Sequence, residues 1–142
     1  MTYENLLQEA ADENVYVIED APFQSRADGL IRNDVIGINR TVRRSTQKAC
    51  VLAEELGHYH TTIGDIINQS SDANRKQELR ARLWSYNKLI GLHGIISCYK
   101  AGCQTAYDMS EHLGVTEDFL QEALHCYRSK YGIYTRFDNY VI

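Results

Sequence analysis

Residues 49–64 read ACVLAEELGHYHTTIG, and the conformation of this run governs how the rest of the chain is understood. On a helix, Glu54 and His58 lie one turn apart and point the same way, so both side chains can reach one common point. Glu55 is rotated about 100° from Glu54. Ala49, Ala53 and Gly57 recur every fourth residue and form a ridge of small side chains that lets another element approach closely. A glycine inside a helix costs on the order of 1 kcal/mol relative to alanine. Gly57 therefore points to a packing or functional reason.

Around this helix, expected over residues 46–62 and closed by Gly64, the pattern alternates in kind. Residues 2–14 read as a helix with Thr2 as N-cap and Leu6, Leu7, Ala10 and Ala11 on one side. VYVIED (15–20) reads as a short strand, interrupted afterwards by Pro22. GLIRNDVIGINR (29–40) reads as two strands about a tight turn at Asn33–Asp34. A second long helix is expected over residues 72–90, ending before Gly91, then helices near 94–101, 104–113 and 116–131. YGIYTRFDNYVI closes the chain as a β-hairpin. Helices gathered around a small sheet make an α+β protein. The expected division is a core over residues 1–92 and a helical lobe with its hairpin over 93–142.

The string E-E-x-x-H stands one residue away from H-E-x-x-H, in which two histidines hold zinc and the glutamate serves as base. Glu54 and His58 supply two ligands and Glu55 the base, which accepts a proton from the water that attacks a carbonyl. A third ligand must come from elsewhere. Glu78 sits early on the second long helix with Ala81 and Ser85 on its own face, and small residues there let the two helices lie together. His60 is the alternative ligand, although a residue two positions after His58 projects from roughly the opposite side of a regular helix.

CVLAEELGHYHT followed by QELRARLWSYNKLI resembles the ImmA/IrrE family of metallo-endopeptidases, most closely the short members carried by phages and integrated elements. The resemblance covers nearly the whole chain, including the strand pair before it and LGVTEDFLQEALHCYRSKYG after it. Members typically carry H-E-x-x-H and a later acidic ligand in an E-x-x-A-x-x-[WF]-A helix. Here those positions are Glu54, Glu55 and His58, then Glu78, Ala81 and Trp84, and the departure is Glu54. The resemblance implies a zincin-like metal helix packed on a small sheet and a second long helix. It also implies one divalent metal and a protein substrate, a helix-turn-helix repressor whose cleavage releases the genes of a mobile element. A Glu54/His58/Glu78 set carries one more negative charge than the usual ligands. Zn²⁺ remains the first expectation, and the added carboxylate moves preference toward harder ions such as Mn²⁺.

Composition narrows the alternatives. A net charge of -4 argues against a general nucleic-acid binder. No run is long and apolar enough for a membrane span, and MTYENLLQEAADEN lacks the layout of a signal peptide, so a cytoplasmic protein is expected. Its four cysteines are then thiols. Cys98, Cys103 and His125–Cys126 have atypical spacing for a zinc site and read as small apolar groups. Arg40, Arg43, Arg44 and Lys48 can receive an acidic partner, and the sheet edge near residues 35–40 can pair with an extended substrate. Two rival functions remain. One is a module that holds a repressor without cutting it. The other is direct DNA binding through residues 105–132, which resemble a helix-turn-helix with Gly114 at the turn. Asp108, Glu111, Glu117, Asp118 and Glu122 oppose that reading, because they repel phosphates where the groove must be entered.

Overall fold

A computed structural model describes residues 1–61 and 71–132, and the strands at residues 136–137 and 140–141. Thr62 and Gly64, expected to close the helix, lie outside the described residues. The protein is α+β, with six helices and five strands among the described residues. It divides into two compact units, Met1–Ser85 and Tyr86–Ile142.

In the first unit, α1 (Tyr3–Asp12) starts from a reciprocal cap. Thr2 Oγ1 accepts from the Asn5 amide at 3.1 Å, while the Thr2 amide donates to Asn5 Oδ1 at 3.0 Å. Tyr3, Leu6 and Ala10 form its buried stripe. Three strands follow: β1 (Tyr16–Ala21), β2 (Gly29–Arg32) and β3 (Val35–Asn39). Asn33 takes φ +56 in the turn between β2 and β3, the left-handed conformation that asparagine tolerates.

The sheet order is β1-β3-β2, with β1 parallel and β2 antiparallel to β3. This corrects the expected substrate edge. Residues 35–39 form the central strand, already hydrogen-bonded on both sides, so the outer edges belong to β1 and β2. Buried Ile36 and Ile38 fit that central place. Asn39 is buried too, and its Nδ2 donates to the Ala27 carbonyl at 2.9 Å, tying down the loop before β2.

Helix α2 (Ser45–Thr61) packs on α1, β2 and β3. It buries Leu52 and Leu56, each worth about 1.5–3 kcal/mol. The small ridge lies inside as expected, with Ala49, Ala53 and Gly57 all buried. A side chain on Gly57 would collide with the Ala81 carbonyl oxygen of α3 (Ser71–Leu89). Ala81 and Ser85 are buried with it. The close approach of the two long helices thus rests on glycine at position 57.

In the second unit, α4 (Gly91–Lys100) begins a few residues earlier than expected. Gly91 takes φ +63, turning the chain so that a new helix starts directly after α3. Thr105 caps α5 (Ala106–Leu113) and Thr116 caps α6 (Glu117–Tyr131) through hydroxyls that accept from Asp108 and Phe119 amides. Between them Gly114 takes φ +71. Met109, Phe119, Leu120 and Leu124 fill the interior. The buried Tyr127 hydroxyl donates to Asn87 Oδ1 at 2.9 Å and accepts from the Gly91 amide at 3.2 Å. Asp108, Glu111, Glu117, Asp118 and Glu122 are all exposed. Short strands β4 (Arg136–Phe137) and β5 (Tyr140–Val141) pair antiparallel.

Candidate metal centre

The Gly57–Ala81 approach brings the two helices' polar residues within reach of each other. His58 Nε2 on α2 lies 3.4 Å from Glu78 Oε1 on α3. Both remain open to solvent, with 24% and 54% of the side chains exposed, so an ion could enter without the helices parting.

Glu55 occupies the neighbouring position, half-buried against the sheet. A Cβ on Gly29 would stand 2.7 Å from Val51 Cγ1 and 3.0 Å from Glu55 Oε1. The carboxylate therefore lies against the backbone at the start of β2, and glycine there leaves it room. Desolvation pushes the Glu55 carboxyl from about 4.5 up to about 7, helped by the negative charges of Glu54 and then Glu78. Gly29 belongs to the site as well, and a glycine at a strand position is the sequence signal of such close backbone approach.

His60 is engaged elsewhere. Its Nε2 meets Glu13 Oε2, just past the end of α1, at 2.8 Å, and its ring stacks on Trp84 with centroids 4.8 Å apart. Glu13 is not legible from the sequence as a partner, because its meeting with His60 depends on how α1 docks. Arg40 and Arg43 line a surface cleft of about 440 Å³ with Asp20, Thr41 and Lys48. Lys48 stands seven residues before Glu55, about 10 Å along α2.

The donors suit a divalent cation in kind: one imidazole nitrogen and several carboxylate oxygens, those of Glu54 and Glu78 close enough to raise the proton affinity of Glu55. As the side chains stand, no group of three His, Cys, Asp or Glu among the described residues is gathered to hold a metal ion. His58 and Glu78 are the pair brought together; Glu54 lies one turn earlier on α2.

Residues 8–125 match the family described as Peptidase M78, the IrrE N-terminal-like domain. The chain belongs to the ImmA/IrrE family. It therefore carries a metallopeptidase-like domain, a kind that implies a divalent metal and protein substrates. No curated protein and no solved structure matches it. Within this ImmA/IrrE chain, Glu54 and Glu55 stand four and three residues before His58 on α2. Among the described residues, no helix is long and apolar enough to cross a membrane.

Proposed function

We propose that the chain is a metal-dependent endopeptidase that cleaves a helix-turn-helix repressor in the cytoplasm, with Glu55 as general base. Glu54, His58 and Glu78 would hold one divalent ion, zinc before manganese. The observation that carries the reading is the 3.4 Å approach of His58 to Glu78, with Glu55 beside it on the same helix. A divalent ion held by these residues would supply Lewis acidity and lower the pKa of bound water toward neutrality.

The remaining roles fall to the chain itself. Glu55 takes the proton of the attacking water. The outer edge of β2 can add an extended substrate strand, and Glu55 lies over Gly29 at the start of that strand. His60 is left out of the ligand set because Glu13 and Trp84 hold it. Exposed acidic residues on α5 and α6 favour a protein-docking or structural role for residues 93–142 over DNA binding.

Co-expression of the protein, or its Glu55→Gln variant, with candidate repressors tests this reading. The parent should cleave and the variant should not, with its fold unchanged. Equal cleavage by both removes Glu55 from the chemistry. A repressor bound but never cut, by a chain that takes up no metal, puts a sequestering module in place of the protease.

A further inference from the structure

Helix α4 ends in a backbone arrangement that places two cysteines together. Past the cap residue Ala101, Gly102 takes φ +78. The Gly102 amide donates to the Tyr99 carbonyl at 3.1 Å, and the Cys103 amide donates to the Cys98 carbonyl at 3.1 Å. These paired bonds define a Schellman motif, in which the side chains at the two ends of the longer bond usually make an apolar contact. Here both ends are cysteine.

From this geometry we infer that Cys98 and Cys103 are a modification site, a dithiol that a hydroperoxide converts to a disulfide across the end of α4. The paired backbone bonds bring the two side chains to the same end of α4, with the thiols close enough to interact, and the disulfide requires the sulfurs to close to about 2 Å. Their accessibilities divide the work: Cys98 is fully buried and Cys103 half-exposed. Burial, with the neighbouring Cys103, pushes the Cys98 thiol up to about 12, so Cys103 is the sulfur that meets the oxidant.

The chemistry balances with the peroxide as sole oxidant. The Cys103 thiolate attacks one peroxide oxygen, the O–O bond breaks, and the sulfenic acid forms with release of water or alcohol. Cys98 sulfur then attacks Cys103 sulfur, the S–O bond breaks, and the hydroxyl leaves with the Cys98 proton as water. Two thiols and one hydroperoxide thus give one disulfide, and a thiol reductant reverses the change.

The test uses the whole protein, treated with graded hydrogen peroxide, alkylated, digested with trypsin and read by mass spectrometry. Trypsin cuts after Lys100, between the two cysteines, so oxidised chains should keep the two peptides joined until reduced. In Cys98→Ser, Cys103 should stop at sulfenic acid and be captured by dimedone, whereas in Cys103→Ser, Cys98 should resist the same peroxide. The inference is overturned if the parent's peptides separate at every dose while Cys103 proceeds to sulfinic acid. It is equally overturned if Cys103 couples instead to Cys50, Cys126 or a second chain.

Discussion

Gly57 of α2 and Ala81 of α3 meet backbone to backbone, with no room for a methyl group between them. Two effects oppose each other in Gly57→Ala. Alanine gains about 1 kcal/mol of helix propensity, but overpacking against a backbone carbonyl, which cannot swing aside, costs about 1–3 kcal/mol or more. The clash should win. The melting temperature should fall by about 2–6 °C, and metal uptake should weaken as the helices move apart. A more stable variant with unchanged metal uptake would show the two helices are not this close.

Glu54→His writes an imidazole one turn before His58. With Glu54 as a ligand, the change removes one negative charge and adds a nitrogen donor that zinc accepts well. Competition between Zn²⁺ and Mn²⁺ should then shift toward Zn²⁺ relative to the parent. Indistinguishable selectivity would take Glu54 out of the ligand set.

Glu78→Ala and His60→Ala should separate binding from scaffolding. The first should shrink the metal-induced rise in melting temperature, since a ligand's contribution appears through linkage. The second removes the partly exposed His60–Glu13 contact, worth about 0–1 kcal/mol, and a ring stack worth about 0.5–1.5 kcal/mol. It should lower stability without metal yet leave the metal-induced rise intact. Reversed behaviour of the pair would make His60 the ligand.

Alkaline pH should act through Tyr127. Burial pushes its phenol up to about 12, against the Gly91 amide, whose donated bond favours the phenolate. A raised value means the folded chain keeps the proton longer than the unfolded one. Its contribution is therefore complete below about pH 10 and lost as pH rises toward about 12, by at most about 1.4 kcal/mol per pH unit. Urea unfolding from about pH 8 to about pH 11 should show a shallower decline in Tyr127→Phe than in the parent. Parallel declines would place the alkaline sensitivity at other groups.

Local signals in the sequence carried far, and relations between distant elements did not. The Ala49–Ala53–Gly57 ridge, the Asn33–Asp34 turn and Gly114 are legible because a few neighbouring residues dictate each conformation. The central place of β3 is not legible, since β1 pairs with it directly and in parallel although β2 comes between them in the sequence. At the site, the approach of His58 to Glu78 was foreseeable from small residues on two helices. The His60–Glu13 pair and the fit of Glu55 against Gly29 depend on docking between elements remote in sequence.

The strand order also imposes a schedule on synthesis. β2 and β3 are joined by a two-residue turn and can zip within about 1–10 μs once both are free. β1 emerges from the ribosome first, but its ladder joins Tyr16 to Val35, Val17 to Ile36 and Ile18 to Gly37. The nascent chain thus carries a row of amides and carbonyls paired only with water until the strand it needs has been made. During that interval the β1 edge is where a chaperone, or another nascent copy, has its opening.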